Sequence, residues 1–246
     1  MIRVGVIGAA GNMGTLACET VEQSADLELV AQITEGDSIE ELEAADVAVD
    51  FTQPGVVMEH IAWCIEHGID VVVGTSGFTR ERLDSIEQQL NATPEVGVLV
   101  VPNFSIGAAL MMRFAAEAAS FFESAEIVEL HHPSKVDAPS GTSIRTAQLI
   151  SAARAAAGAG PVPDATADDT LGARGGRVEG IPVHSIRVRG LVAHQEVLLG
   201  NPGETLTLRH DMPDRVAAMP GLVASTRFVV DHPGLTVGLE HVLGLE

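Results

Sequence analysis

The densest run of reactive side chains in the sequence spans residues 131–142, and it contains the single lysine of the chain. His131 and His132 open the run, Lys135 follows, and every other permanent cation is an arginine. A lysine ammonium can release a proton when its surroundings lower its pKa, whereas an arginine guanidinium cannot. Imidazole is the commonest proton-transfer group near neutral pH. The run therefore indicates proton transfer, with a solvated surface cation as the alternative for Lys135.

Adjacent histidines on one strand point to opposite faces, so His131 and His132 share a centre only if Pro133 bends the chain. With a bend, both rings and Lys135 can line one cleft; without it, one ring is a bystander. A metal site built from His131, His132 and Asp137 is a rival interpretation. Adjacent histidines are unusual zinc spacing, and no further Cys or His pattern accompanies them. We therefore expect no metal.

The end of the same run has the residue types of a helix N-terminus. Ser140 is a good N-cap, and the amides of Gly141 and Thr142, with the Thr142 hydroxyl, make an anion site that suits a carboxylate. Capping without any ligand explains these residues equally well. Their position beside a potential acid pair favours a substrate pocket.

A glycine-rich loop near the N-terminus forms a second candidate site. It follows the strand pattern Val4–Ile7 and opens a helix, which is the context of dinucleotide binding; a structural turn is the alternative. The loop residues are Gly8, Ala9, Ala10, Gly11, Asn12 and Met13. At the end of the second strand, Thr34 and Glu35 stand where an acid or an arginine usually contacts the adenosine ribose, so NADH and NADPH both remain open as the cofactor.

Two further turns follow predicted parallel strands, at the edge where open sheets bind ligands. The first contains Gly74, Thr75 and Ser76, and the second contains Val101, Pro102, Asn103 and Phe104. Ordinary turn chemistry is the alternative for both. Beside the glycine loop, they extend the candidate cofactor site.

Short β-branched runs alternate with helical patterns through the first hundred residues, which predicts a parallel sheet. The predicted strands are Val4–Ile7, Leu27–Ile33, Val47–Phe51, Asp70–Val73 and Val96–Val101. The predicted helices between them are Met13–Ser24, Val56–His67 and Arg80–Leu90. With the glycine loop, this order predicts an α/β fold whose N-terminal domain is Rossmann-like.

The pattern changes near residue 105, which predicts a second domain of α+β type with a mixed open sheet. Its predicted elements are helix Ser105–Phe122, strand Ala125–Leu130, a helix from Ser140, a loop over 158–180, and strands Pro182–Val188, Leu191–Leu199 and Glu204–His210. A helix over Arg215–Val230 and a tail over Pro233–Glu246 are expected to return to the first domain. We therefore expect a dinucleotide-binding domain at 1–105 with 214–246, and a second domain that carries the candidate substrate pocket at 106–213.

Charge and hydropathy exclude several classes of partner. The sequence has 34 acidic and 14 basic residues, for a formal net charge of −20, which argues against nucleic acid and anionic membranes. No apolar stretch approaches the roughly 20 residues that span a bilayer. The N-terminus lacks the pattern of a secretory signal, so we expect a cytoplasmic protein.

The run from Glu129 to Thr142 resembles the HHxxKxDAPSGT signature of the dihydrodipicolinate reductase family. The glycine loop, Asp50-Phe51-Thr52 and the two turns occur in the family's order, and the resemblance extends from end to end. It implies NAD(P)H-dependent reduction of 4-hydroxy-tetrahydrodipicolinate, a small dicarboxylate, in lysine and diaminopimelate biosynthesis. It also implies a homotetramer assembled through the sheet of the substrate domain.

The resemblance implies a role for each candidate residue. His131 is the proton donor and acceptor and Lys135 a proton donor, whereas His132, Gly141 and Thr142 contact the substrate carboxylate. The implied cofactor contacts are Gly8 to Met13, Thr34, Gly74 to Ser76, and Val101 to Phe104. The sequence departs from the family pattern mildly at Ser143 and Ser76, and more at Ala10, Asn12 and Thr34 in the cofactor site. Another NAD(P)-dependent reductase of amino-acid metabolism and a non-catalytic nucleotide sensor are the alternative functions.

Overall fold

The computed structural model describes residues 1–75 and 77–245. The chain divides into two compact units, one formed by Met1–Ile106 with Val216–Glu246 and the other by Gly107–Arg215. Within the described residues, no helix has both the length and the apolar character needed to cross a membrane. Strands and helices are numbered below along the whole chain.

The first unit is built on a six-stranded parallel sheet. Its strands are β1 (Ile2–Ile7), β2 (Leu27–Ile33), β3 (Val47–Asp50), β4 (Asp70–Val73), β5 (Gly97–Val100) and β11 (Gly234–Val237). They are ordered β11-β5-β4-β3-β1-β2, and every pair is parallel. Because β3 and β5 are buried along their whole length, their sequences are nearly continuous apolar runs. The predicted parallel sheet is confirmed.

Helices cover this sheet on both faces. The helices are α1 (Asn12–Gln23), α2 (Val57–Glu66), α3 (Arg80–Leu90), α6 (Met219–Val229) and α7 (Leu239–Val242). Ile61 of α2 and Ile86 of α3 pack with Val71 and Val73 in one core cluster. Helices α1 and α6 contact each other and the sheet, whose alternate residues such as Val72 are fully buried as well. The result is the doubly wound arrangement that places loops at the carboxyl edge of the strands.

Two parts of the first unit differ from expectation. The helix predicted over Arg215–Val230 is a 3-10 turn at Arg215–Ala218 followed by α6. Pro220 lies in the first turn of α6, and proline is tolerated only there, so the α-helix cannot extend back through residue 215. The tail after it forms β11, which pairs with β5, and a 3-10 helix at Ile39–Ala44 lies between β2 and β3.

The second unit combines a five-stranded mixed sheet with two helices. Its elements are α4 (Ile106–Ala119), β6 (Ser124–His131), α5 (Gly141–Ala156), β7 (Gly176–Val178), β8 (Ile181–Arg187), β9 (Ala193–Asn201) and β10 (Glu204–Met212). The strand order is β10-β9-β6-β8-β7, in which β6 and β8 are parallel and the other pairs antiparallel. This confirms the mixed open sheet expected from the sequence.

Burial alternates along β6, so one face of this sheet forms a core with α4 and α5. Ala125 and Ile127 are buried there together with Ala119 and Ile150 of the helices. Residues 158–175 have no regular structure, as expected, but Gly176–Val178 forms the edge strand β7. The predicted strand Leu191–Leu199 begins later and continues to Asn201, because a two-residue turn pairs Asn201 directly with Glu204.

Candidate active site

The glycine loop links β1 to α1 in a tight turn beside the end of β2. Gly8 has φ +80°, a left-handed conformation that favours glycine. The amides of Gly8 and Ala9 donate to the Ile33 carbonyl at 2.9 and 3.0 Å, and the Gly11 amide donates to the Gly8 carbonyl at 3.0 Å. Gly14 allows α1 to approach the loop, because a Cβ there would lie 2.1 Å from the Gly8 carbonyl oxygen.

The start of α1 leaves backbone amides open to a ligand. Its N-cap is Gly11, which supplies no side-chain hydrogen bond, and the first turn contains no acidic residue. The first amides of a helix have no partner within the helix, and the helix dipole favours an anion there. The amides of Asn12 and Met13 therefore suit a pyrophosphate, as the sequence predicted.

The end of β2 carries a carboxylate that the sequence did not single out. The Thr34 amide and hydroxyl donate to Asp37 Oδ2 at 2.8 and 2.6 Å. These hydrogen bonds, the hydroxyl's first, hold the pKa of the Asp37 carboxyl below its ordinary value. An acid thus stands where a Rossmann fold contacts the adenosine ribose, although Thr34 does not provide it.

A buried hydrogen-bond network joins the ends of β3 and β4. Asp50 is fully buried, and its Oδ1 accepts the Thr52 amide at 2.8 Å, the Thr52 hydroxyl at 2.6 Å and the Thr75 hydroxyl at 3.3 Å. Nδ1 of His60 lies 2.7 Å from Asp50 Oδ2. The Thr75 hydroxyl also donates to the Thr52 carbonyl at 3.1 Å. The side chain of Thr75 therefore faces the protein, which leaves its backbone for a ligand.

The turns after β4 and β5 are held together by aromatic packing. The rings of Phe51 and Phe104 meet edge to face at 5.6 Å, and a Cβ at Gly74 would lie 2.3 Å from the Phe51 ring. Val101 is buried and its amide donates to the Val73 carbonyl at 2.8 Å. The Phe104 side chain is buried as well, so backbone atoms are what these positions offer to a ligand.

The first unit thus brings most of the predicted cofactor residues to the carboxyl edge of one sheet. Pro102 is exposed beside this edge, and Asn103 accepts the Ser105 amide at 2.9 Å in a local turn. Ser76, also predicted to contact the cofactor, lies outside the described residues. Open amides at α1 and the Asp37 carboxylate have the chemistry that a dinucleotide requires.

His131 stands at the end of β6 in contact with a buried carboxylate. Its Nδ1 lies 2.5 Å from Glu129 Oε2, and Arg187 of β8 donates two hydrogen bonds of 2.8 Å to the same carboxylate. Burial raises the pKa of the Glu129 carboxyl, and the hydrogen bonds from His131 and Arg187 lower it to about 2. Because an ionised carboxylate only accepts hydrogen bonds, His131 donates from Nδ1 and Nε2 remains for another partner.

Lys135 and His132 lie in the turn that follows β6. Lys135 Nζ donates to both carboxylate oxygens of Asp137, at 2.8 and 3.0 Å, and its side chain is 20% exposed. Nδ1 of His132 lies 2.8 Å from the Ser134 hydroxyl. The Lys135 amide donates to the His132 carbonyl at 3.2 Å, which closes the turn. The bend that the sequence required after His131 is therefore present.

The start of α5 is a capped helix N-terminus. The Ser140 hydroxyl accepts the Ser143 amide at 3.2 Å, as expected for an N-cap. A Cβ at Gly141 would meet no atom within 4 Å, so the fold itself does not demand glycine there. The free space lies over amides that suit a carboxylate.

Ser143, where the family often has alanine, belongs to a buried polar network. It is fully buried, and its hydroxyl donates to Gln195 Oε1 at 2.7 Å. Gln195 Nε2 in turn donates to the Thr146 hydroxyl at 2.8 Å. This network ties the first turns of α5 to β9 and fixes the position of the helix N-terminus.

The rival metal site is not assembled in the described residues. Within residues 1–75 and 77–245, no group of three or more His, Cys, Asp or Glu side chains lies close enough to hold a metal ion. His131 faces Glu129, His132 faces Ser134, and Asp137 pairs with Lys135. These three side chains therefore do not form the ligand set that the rival interpretation required.

A Rossmann-type sheet in one unit and a turn that carries His131, His132 and Lys135 in the other are the arrangement expected of an oxidoreductase. Two family models, described as the N-terminus and the C-terminus of dihydrodipicolinate reductase, match residues 2–104 and 107–243. The chain belongs to the dihydrodipicolinate reductase family.

Individual relatives agree with the family models over the whole chain. Two proteins named 4-hydroxy-tetrahydrodipicolinate reductase, from Cutibacterium acnes and Streptomyces coelicolor, are 58% and 56% identical. The alignments cover 100% of both chains in the first case, and 99% of this chain and 98% of the other in the second. A solved dipicolinate-bound dihydrodipicolinate reductase from a Paenisporosarcina species is 38% identical, with a TM-score of 0.85 over 98% of this chain and 99% of that one.

Three residues of the site were missed by sequence reasoning. Glu129 and Arg187 were assigned to strands and given no chemistry, and Asp37 was passed over in favour of Thr34 and Glu35. A charged residue at a core-facing position of β6 was the available signal for Glu129. Nothing local could pair it with Arg187, which lies on another strand.

Proposed function

We propose that the chain reduces 4-hydroxy-tetrahydrodipicolinate to tetrahydrodipicolinate with NADH or NADPH, a step of lysine and diaminopimelate biosynthesis. One observation carries this proposal: His131, held by Glu129 at the end of β6, and Lys135 in the turn that follows come shortly before the N-terminus of α5. Two acids beside an anion site suit the protonation of a reduced, carboxylate-bearing ring. The names of the relatives and the dipicolinate bound to the solved neighbour support the same substrate class.

The cofactor is assigned to the first unit, Met1–Ile106 with Val216–Glu246. The glycine loop from Gly8 to Met13 binds the pyrophosphate, and Thr34 with Asp37 lies at the adenosine ribose. Backbone atoms of Gly74, Thr75 and Val101 to Phe104 line the remainder. A bound nicotinamide supplies a hydride. Asp37 places a negative charge where a 2′-phosphate would come, so NADH is expected to bind more tightly than NADPH.

The substrate is assigned to the second unit, Gly107–Arg215. The amides of Gly141 and Thr142 and the ring of His132 hold one carboxylate, which fixes the orientation of the ring. This contact also supplies the local positive potential that a dianion needs on a chain of net charge −20.

His131 and Lys135 complete the chemistry by moving protons. The ring loses its 4-hydroxyl as water, C4 accepts the hydride, and one proton is taken up as negative charge develops on the ring. His131 exchanges this proton through Nε2, because Nδ1 is occupied by Glu129. Lys135 donates from Nζ, which its hydrogen bonds to Asp137 hold in the turn after β6.

We also propose that the chain forms a cytoplasmic homotetramer through the open face of the second sheet. Ile186 and Leu198 on that face are each 38% exposed, and Val128 and Leu130 are half-buried. Apolar side chains at neighbouring positions of adjacent strands suit burial against other copies of the chain. Sedimentation velocity tests the assembly, and charged substitutions at Ile186 and Leu198 should dissociate it.

A coupled assay tests the reductase activity. A dihydrodipicolinate synthase makes the substrate in situ, and the loss of reduced-nicotinamide absorbance reports turnover. The proposal predicts oxidation that requires the synthase and disappears in His131→Asn. Cofactor binding without oxidation would identify a nucleotide sensor, and turnover restricted to a different imine or aldehyde would identify another reductase of amino-acid metabolism.

A further inference from the structure

Glu129 is a carboxylate at a core-facing position of β6, where the other side chains are apolar. On β6 the core-facing residues are Ala125, Ile127 and Glu129, and Glu129 is fully buried. Burying a charge without partners costs several kcal/mol. A buried carboxylate is therefore tolerated only where its partners replace the hydrogen bonds that it loses with water. Departures of this kind from the pattern of a strand occur mainly at functional sites.

The partners of Glu129 include one cation and one proton-transfer group, and the Ser185 hydroxyl also donates to the carboxylate. Arg187 Nη1 and Nη2 donate to Oε2 and Oε1 at 2.8 Å each, which is a bidentate pair in fixed geometry. His131 Nδ1 lies 2.5 Å from Oε2. Because His131 is two residues further along the same strand, its side chain leaves the sheet on the same face as Glu129.

We propose that Glu129, oriented by Arg187, is the positioning residue of the active site, which holds His131 in the tautomer that carries its proton on Nδ1 and presents Nε2 to the substrate. This inference rests on the proposed role of His131 in the reduction. An imidazole has two neutral tautomers of similar energy, and the partner of one nitrogen decides which of them is populated.

Arg187 also contacts the segment that carries Lys135. Its Nη2 also donates to the Asp137 carbonyl at 2.8 Å, and the Asp137 carboxylate pairs with Lys135 Nζ at 2.8 and 3.0 Å. A continuous chain of hydrogen bonds therefore runs from His131 through Glu129, Arg187 and Asp137 to Lys135. One guanidinium thus fixes the positions of both proton-transfer residues.

The substitution Glu129→Gln separates positioning from structural pairing. Arg187 has only donors, and its Nη2 contacts Oε1 while its Nη1 and His131 share Oε2, so we expect the amide oxygen of glutamine to take the Oε1 position. The amide NH2 group then faces His131 Nδ1, which must become an acceptor, and the proton moves to Nε2. The shape of the side chain is preserved while the tautomer reverses.

Steady-state kinetics give the first readout. Glu129→Gln is expected to lower kcat about 100-fold, while KM for the substrate and Kd for NADH stay within about 3-fold of wild type. Asp26→Asn is the matched control, because Asp26 of the first unit accepts the same two-point pair, from Arg227 at 2.8 and 2.8 Å, and lies outside both candidate sites. The control should retain the wild-type kcat. A kcat of Glu129→Gln within about 3-fold of wild type would overturn the proposal.

Nitrogen NMR gives a readout that does not depend on turnover. In 15N-histidine-labelled protein, the resonances of His131 are assigned as those absent from His131→Asn. We expect the neutral ring to be protonated on Nδ1 in wild type and on Nε2 in Glu129→Gln. A proton on Nε2 in the wild type overturns the proposal even if the variant fails to fold. If the tautomers follow expectation but wild type has no reductase activity, the proposed function fails and the positioning of His131 stands.

Discussion

Glu129 predicts how the chain loses stability in acid. Its carboxyl has a pKa of about 2 in the folded chain against an ordinary value of 4.5. Because the folded value is the lower one, the ionised group stabilises the fold above pH 4.5, and this contribution disappears as the pH falls towards 2. At about 1.36 kcal/mol for each pH unit between the two values, the full contribution is roughly 3 kcal/mol, of which about 2 kcal/mol is lost by pH 3.

Glu129→Gln isolates this contribution, since glutamine does not titrate. Urea unfolding followed by circular dichroism, at one protein concentration, gives the free energy of unfolding at pH 6 and pH 3 for both chains. The wild type should lose about 2 kcal/mol more than the variant over this interval. Fluorescence of Trp63, the single tryptophan, reports the first unit independently. Parallel losses in the two chains would show that the Glu129 carboxylate is not stabilised by His131 and Arg187.

Four other substitutions test separate parts of the site. Lys135→Arg keeps the charge and forfeits the transferable proton, so kcat should fall about 100-fold or more; nearly intact turnover with NADH or NADPH would contradict the acid role. Gly141→Ala should leave the midpoint of thermal unfolding unchanged, because its Cβ meets no atom within 4 Å. It should raise KM for the substrate about 10-fold or more, because the methyl group covers the first amides of α5. A lowered unfolding midpoint with an unchanged KM would refute this. Asp37→Asn should tighten NADPH binding several-fold, by about 0.5–1 kcal/mol, relative to NADH in titration calorimetry; an unchanged ratio of the two dissociation constants would remove Asp37 from the cofactor site. Ser143→Ala leaves Gln195 Oε1 without its donor and should cost about 1–3 kcal/mol in urea unfolding; a cost near zero would mean that Gln195 finds another partner.

Local patterns in the sequence were sufficient for most of the fold. The strands Leu27–Ile33 and Asp70–Val73 and the helix Arg80–Leu90 were predicted with the bounds that the structure has. Each is a run of apolar residues at one clear period, so its own residues determine its conformation. Strand β11 was missed because Gly234–Val237 is a short apolar run beside Pro233 and is extended only through its pairing with β5. Such pairing is a long-range property that a local pattern cannot reveal.

The site residues that depend on local sequence were predicted, whereas those that depend on long-range contacts were missed. Ser140 was recognised as an N-cap because capping depends on residue type and on the helix that follows. The bend after His131 was expected from Pro133. Glu129 and Arg187 were missed because a buried ion pair depends on the alignment of β6 with β8, which the turn chemistry of neither strand specifies. Asp37 was missed because its hydrogen bonds with Thr34 form in an irregular turn.

Transfer of isotope from cofactor to substrate tests the proposed reduction most directly. NADH carrying deuterium at its transferable position is incubated with the enzyme and the product of the coupled synthase, and the ring product is analysed by mass spectrometry and NMR. We predict one deuterium at C4 of tetrahydrodipicolinate with the wild-type enzyme. With the His131→Asn variant we predict no deuterium in the ring product. Deuterium that stays on the cofactor while NADH binds normally would contradict the reductase function.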